Sequence, residues 1–144
     1  MRHVKLLAID PGKTGAFAWK TNDGAFEDRN MPDTPHGIAS LIRELDPDQV
    51  VIERVGFHIQ GNNASASAKF ARHVGFLHGV LVTMGIPFVE VLPSKWQKEL
   101  CGTLPKDKPA RKRAIQAFVE NRIGATVTLR NADAVAILLW GLKA

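Results

Sequence analysis

Val4-Lys5-Leu6-Leu7-Ala8-Ile9-Asp10-Pro11-Gly12-Lys13-Thr14-Gly15 runs an apolar strand into a carboxylate and then into a turn built from Pro and Gly. The run from Val4 to Ile9 is short, apolar and bounded by turn residues, as expected of a strand buried on both faces in the middle of a sheet. Asp10 stands where that strand leaves the core. Pro11 fixes one backbone angle, while Gly12 and Gly15 permit conformations and close approaches that a side chain forbids. A polar ligand or a metal therefore fits against this corner. Taken alone, Asp10 is equally well placed simply to open a turn, where Asp is favoured. Further carboxylates at matched positions are what give it a chemical reading.

Working outward, Gly15 to Lys20 reads as a second strand, Thr21-Asn22-Asp23-Gly24 as a tight turn and Ala25 to Met31 as a third strand, which makes an antiparallel meander. Asp33-Thr34-Pro35 supplies a cap and a first-turn proline. Ile38, Leu41, Ile42 and Leu45 follow at helical spacing, and Asp46-Pro47-Asp48 ends that helix. Gln49-Val50-Val51-Ile52-Glu53 repeats the logic of the first strand: an apolar run that stops at a carboxylate, with a loop from Arg54 to about Asn63 beyond it. A strand that follows a helix usually lies parallel to a neighbour, so Glu53 is expected at the same sheet edge as Asp10. Carboxyl ends of adjacent parallel strands are where open α/β sheets place ligands. Pairing of Glu53 with Arg54 is the bland alternative.

Ala64 to Met84 reads as a long helix with Ala64, Ala68, Ala71, Val74, Leu77, Leu81 and Met84 on one side. Gly75 and Gly79 each cost about 1 kcal/mol of helix propensity relative to Ala. Close packing against another helix, within the chain or across a dimer, is the expected compensation. His73 and His78 lack a metal-ligand partner at useful spacing and read as packing or surface residues. Phe88 to Val91 is the fifth strand. Pro93-Ser94 is expected to cap a short helix, and a further helix runs from about Pro109 to Arg122, with Ala114, Ile115, Phe118 and Val119 buried while Lys112, Arg113 and Gln116 point away. The last element, Asn131 to Leu142, is apolar nearly all round and must be buried against the sheet. Asp133 is the charged residue in its first turn, a position that dipole and capping effects also favour.

With 144 residues the chain is expected to form one domain, 1–144. The single Cys101 excludes an internal disulfide and a cysteine zinc cluster, and points to a reducing compartment. No apolar run approaches the roughly 20 residues of a membrane span, so a soluble, cytoplasmic protein without membrane partners is expected. The net charge of +5 is localised: seven basic residues against Glu99 and Asp107 lie between Lys95 and Arg113, and the rest of the chain balances. A positive field concentrated in one short segment is what a polyanion binder needs; a solvated helix face is the bland alternative.

Hard divalent cations such as magnesium and manganese take oxygen ligands, and a two-metal phosphodiesterase site gathers several carboxylates from separate elements. Asp10, Glu53 and Asp133 meet that need. With these motifs in this order, the chain resembles the RuvC family of Holliday junction resolvases in the RNase H-like superfamily. The resemblance rests on Leu7 to Gly15, the Val51-Ile52-Glu53 strand end, the Ala- and Gly-rich helix, the Lys-bearing loop and the closing Asp133-Ala134-Val135-Ala136-Ile137. It implies an α/β RNase H-like fold with a five-stranded mixed sheet, a three-strand antiparallel meander plus two parallel strands, flanked by helices. It also implies Mg2+ or Mn2+, two per active site, and no small-molecule cofactor. A homodimer formed partly by the helix from Ala64 to Met84 would cut branched DNA, a four-way junction, in recombination and repair.

Carried over, Asp10, Glu53 and Asp133 match the family's metal-binding catalytic carboxylates. Lys98 and Lys108 fall near its phosphate-contacting lysines across a one-residue gap, with Lys106 and Lys112 as neighbours for DNA. Phe57 lies one position from the junction-stacking aromatic. Arg130 occupies the place, three residues before Asp133, where the family usually has a fourth acid or His. There it is expected to pair with a carboxylate or to contact phosphate. Two alternatives remain at this stage: an RNase H-like nuclease acting on RNA, and a non-catalytic DNA-junction-binding module that needs no metal. The Asp-x-Gly corner is also similar to the phosphate turn of sugar kinases, but the chain is too short for their two domains.

Overall fold

The computed structural model describes residues 2–56 and 63–143; Phe57 lies outside them. Five strands and five helices follow the chain: β1 (Val4–Asp10), β2 (Ala16–Lys20), β3 (Phe26–Asn30), α1 (Pro35–Leu45), β4 (Pro47–Glu53), α2 (Ala64–Thr83), β5 (Phe88–Val91), α3 (Pro93–Cys101), α4 (Lys108–Ile123) and α5 (Ala132–Lys143). The sheet order is β3-β2-β1-β4-β5. β1, β2 and β3 form the antiparallel meander, and β4 and β5 extend it in parallel with β1. This is the expected mixed sheet.

Because side chains alternate across a strand, each strand serves two cores. Leu7 and Ile9 of β1, Phe17 and Trp19 of β2, and Val50 and Ile52 of β4 face α1 and α2. Ala8, Ala16, Ala18 and Val51 face the other way, toward α3, α4 and α5. On that second face the strand side chains are small, so α5 lies close. A Cβ added at Gly141 would come within 2.9 Å of Leu6 and 3.2 Å of Val51. α5 is accordingly buried along nearly its whole length, from Ala132 to Leu139 apart from Asp133. Fully buried Leu or Ile side chains contribute roughly 1.5–3 kcal/mol each, so both layers are needed.

The helix ends explain several boundaries. Thr34 caps α1 by accepting from the Gly37 N–H, and Asp46 closes it in a left-handed conformation. The turn there is tighter than expected, and β4 begins at Pro47, opposite Val4, instead of at Gln49. Asp107 caps α4 through the Ala110 N–H, and Pro109 occupies the first turn. Ser94 does not cap α3: Pro93 is already helical, Leu92 is the preceding residue, and no side chain bonds to that end. The packing expected at Gly75 and Gly79 is not found among the described residues, where a Cβ at either would meet nothing within 4 Å. His78 lies against Glu90 at 3.1 Å and stacks on Phe88, a surface role in keeping with its sequence reading. Among the described residues no helix is long and apolar enough to cross a membrane.

Candidate active site

The alternation that sorts the core also sorts the acids. Asp10 follows Ala8 by two residues and Glu53 follows Val51 by two, so both side chains emerge on the α5 face of the sheet. Ala8 pairs with Val51 and Ile9 with Ile52 in the parallel register; one further step brings the two acids level at the carboxyl ends of β1 and β4. Asp133, in the first turn of α5, completes the group from above.

The turn after Asp10 is shaped for this approach. Gly12 takes a φ of +118°, and a Cβ at Gly15 would lie 1.9 Å from the Asp10 carbonyl oxygen, so only glycine fits there. Arg130 then ties the start of α5 to that turn. Its Nε donates to the Gly15 carbonyl at 3.3 Å and its Nη2 to the Lys13 carbonyl at 3.0 Å. Pairing of Arg130 with a carboxylate, expected from sequence, is therefore replaced by bonds to backbone carbonyls. The reason is position: just before α5, the guanidinium reaches the loop below it more readily than the acids beside it. Asn131 adds a second tie, donating to Asp28 of β3 at 2.7 Å.

The electrostatics follow from the burial. Burial pushes Asp10 well above the usual carboxylate range, and the charges of Glu53 and Asp133 push it further, against a smaller downward pull from Lys112. Burial likewise raises Glu53 to about 7; a hydrogen bond from Trp96 opposes this, Asp133 adds to it and Lys112 reduces it. The bond from Trp96 Nε1 to Glu53 Oε2 is 2.6 Å, and both side chains are buried. Sequence reasoning passed over Trp96 as a feature of the site. Its one legible signal was chemical: a buried indole N–H needs an acceptor.

Lys112 is the second residue that sequence misplaced. It does not point away from the core; its Nζ lies 3.6 Å from Asp133 Oδ2. Gln116, one turn later, is also half-buried and donates to the Val127 carbonyl. The spacing of Ile115 and Val119 defines a buried face of α4, but the helix lies so that Lys112 and Gln116 flank that face at its border with α5. Lys98, Lys106 and Lys108 are exposed, and Lys98 and Lys108 belong to neighbouring helices of the same sheet face.

The donor set is hard and anionic, and it lies at buried positions where uncompensated negative charge is costly. That chemistry fits magnesium or manganese. Among the described residues, no three acidic, His or Cys side chains close to ion-holding distance. The cation that faces these carboxylates is the Lys112 ammonium. A groove of about 890 Å3 lined by Lys13, Phe70, Arg72, His73 and Phe76 among others lies on the α1–α2 side and contains none of the three acids.

A five-stranded mixed sheet with three carboxylates at its central strand ends and at a closing helix defines an RNase H-like fold with an acidic centre. No protein-family model matches the chain. The crossover junction endodeoxyribonuclease RuvC of Gloeobacter violaceus is 36% identical over 107 residues, which cover 72% of this chain and 57% of that protein. The matched region thus amounts to little more than half of that relative's length. The structure of Thermus thermophilus RuvC in complex with a Holliday junction substrate superposes with a TM-score of 0.64 at 15% identity, covering 94% of this chain and 90% of that one. Fowlpox virus resolvase, solved with its substrate Holliday junction DNA, superposes with a TM-score of 0.54 at 14% identity over 95% and 99% of the two chains. The chain belongs to the RuvC family.

Proposed function

We propose that this protein is a metal-dependent, structure-specific endonuclease that cuts four-way DNA junctions. The observation that carries this reading is the convergence of Asp10, Glu53 and Asp133 from β1, β4 and α5 on one face of the sheet. The similarity to a RuvC protein supports the choice of substrate. Mg2+ or Mn2+ held by these carboxylates would supply an activated water and neutralise charge at the phosphodiester.

The chain's own residues do the rest. Trp96 fixes the orientation of Glu53 through its 2.6 Å hydrogen bond. Arg130 and Asn131 hold the start of α5, and with it Asp133, against the Asp10 turn and β3. Lys98, Lys106 and Lys108 present exposed ammonium groups for the DNA backbone, whose capture by counterion release is independent of sequence. A homodimer is part of this reading, because two paired cuts in a symmetric junction need two equivalent sites. α2 offers the surface for it: Gly75 and Gly79 have open space beside them, and Val82 is 69% exposed. The protein would act on DNA in the cytoplasm.

The test is cleavage of a four-way junction with and without Mg2+, beside matched linear duplex, single strands and RNA. Chelator-sensitive cutting of the junction in preference to the others is the expected result. Preference for RNA would transfer the site to RNA processing, and tight junction binding with no cutting in any divalent ion would leave a binding module. Sedimentation at micromolar concentration reads the dimer separately.

A further inference from the structure

The groove on the α1–α2 side combines two chemistries. Much of its lining is apolar, with Ile38 of α1 and Phe70 and Phe76 of α2 among the residues that form it. It also carries three exposed cations, Lys13, Lys69 and Arg72, against one acid, Asp33. Among the described residues none of these three cations is in an ion pair. Burial lowers the pKa of His73, so the wall between Phe70 and Phe76 is neutral and the positive charge belongs to the two lysines and the arginine. At about 890 Å3 the groove falls in the range of sites that bury a small ligand, roughly 300–1,000 Å3. It also adjoins the acidic centre along the chain. Gly12 and Lys13, in the turn that follows Asp10, are part of its lining, and a Cβ at Gly12 would lie 3.5 Å from Phe70 Cε1.

A duplex offers phosphates and hides the faces of its bases, so it can use surface lysines such as Lys98, Lys106 and Lys108 but gains nothing from an apolar groove. A single strand offers both, phosphates to cations and base faces to aromatic rings. We propose that the α1–α2 groove is a binding site for single-stranded DNA, entered over the Gly12–Lys13 turn by an unpaired strand that continues from the acidic centre. The choice of DNA as the occupant rests on the reading of the chain as a nuclease, and it extends the substrates from four-way junctions to branched DNA with a single-stranded arm. Lys13, Lys69 and Arg72 take the phosphates, and Phe70 and Phe76 take the base faces. A homodimer through α2 leaves the groove open: Gly75 and Val82 follow His73 by two and nine residues, which puts them half a turn round the helix from it.

The test is photochemical. A short oligothymidylate carrying one 5-iodouracil is irradiated with the full chain in chelator, and the cross-linked residues are mapped by mass spectrometry. Cross-links within residues 66–76 are the expected result; cross-links confined to other segments, or none, overturn the proposal. Fluorescence anisotropy then compares the same single strand with a hairpin duplex. Lys69→Ala combined with Arg72→Ala should lower the slope of log affinity against log salt by about 1.4 units for the single strand, at roughly 0.7 per lost contact, and leave the hairpin slope unchanged. Phe76→Leu, which keeps apolar volume and removes the ring, should weaken the single strand at least about fivefold and spare the hairpin. Circular dichroism melting confirms that each variant is folded. Equal losses on the two probes, or no loss on the single strand, overturn the site. Cross-linking that fades as protein concentration rises would assign the groove to a second copy of the chain and overturn it equally. Junction cutting without cross-links in the groove removes the groove alone, whereas cross-links in the groove with no cutting of any DNA support the single-strand site and remove the nuclease reading.

Discussion

The two faces of the sheet are built from the same strands to opposite specifications. Toward α1 and α2 the strands present Leu7, Ile9, Phe17, Trp19 and Ile52, large side chains that fill space and leave a broad groove beside the helices. Toward α5 they present Ala8, Ala16, Ala18 and Val51, and the helix that covers them is itself apolar nearly all round. All three acids belong to this second face. Small residues let α5 come down onto the strands, and that approach delivers Asp133 to the carboxyl ends of β1 and β4. One face holds the fold by volume and the other gathers the three acids by proximity.

The sharpest way to break this contrast is to neutralise the acids. Asp10→Asn, Glu53→Gln and Asp133→Asn should each reduce cleavage to background while leaving junction affinity nearly unchanged, because in the proposed reading the carboxylates would hold metal and the cations would hold the polyanion. Melting temperature in chelator should not fall for Asp10→Asn, since the substitution removes a buried charge that its neighbours repel. A variant that still cuts at the wild-type rate removes that residue from the site.

The converse change on the other face should destabilise without touching the chemistry. Phe17→Ala empties a fully buried position and is expected to cost about 3–5 kcal/mol in denaturant unfolding. Ala8→Leu, on the α5 face, overpacks instead, costing about 1–3 kcal/mol, and should lower cleavage as well by lifting α5 off the strands. If Ala8→Leu keeps full activity, close approach of α5 is not what places Asp133.

A pH scan probes the same asymmetry. Glu53 binds its proton more tightly folded, at about 7, than at its ordinary value of 4.5, so the folded state holds more protons across that interval. The stability of the metal-free protein should therefore be fully present below about 4.5 and decline as pH rises through 7, by an amount on the order of 3 kcal/mol from this group. Asp10 is shifted in the same direction. Saturating Mg2+ should abolish the decline. Chelated protein that unfolds at the same denaturant concentration at pH 5.5 and pH 8 would contradict the electrostatics described above.

Smaller effects separate support from binding. Trp96→Phe deletes the donor to Glu53, with an expected loss of roughly 1–3 kcal/mol in stability and a raised Mg2+ requirement for cleavage. Loss of stability with an unchanged Mg2+ requirement would reduce Trp96 to a packing residue. Lys98→Ala and Lys108→Ala should each lower the slope of log junction affinity against log salt by about 1 unit, with no change in melting temperature. Unchanged slopes would return these lysines to a solvated surface.

The sequence by itself determined a good deal of this. Short apolar runs that stop at Asp10 and Glu53, an Asp-Gly turn between two strands, capped helices and an apolar closing helix led to five strands, to the antiparallel meander and to the three acids. Local pattern suffices there, because alternation within a strand decides which side chains share a face before any distant contact forms. What it left open were the residues whose partners lie far along the chain. Trp96 and Glu53 are 43 positions apart, and Arg130 and Lys13 are 117 apart. Whether Lys112 turns outward or toward Asp133 depends on how α4 is rotated against α5, which the buried face of α4 alone does not specify. Helical periodicity names the buried stripe; only the packed neighbours decide what meets the residues along its edges, and in this protein those edges carry the Lys112 ammonium into the acidic centre.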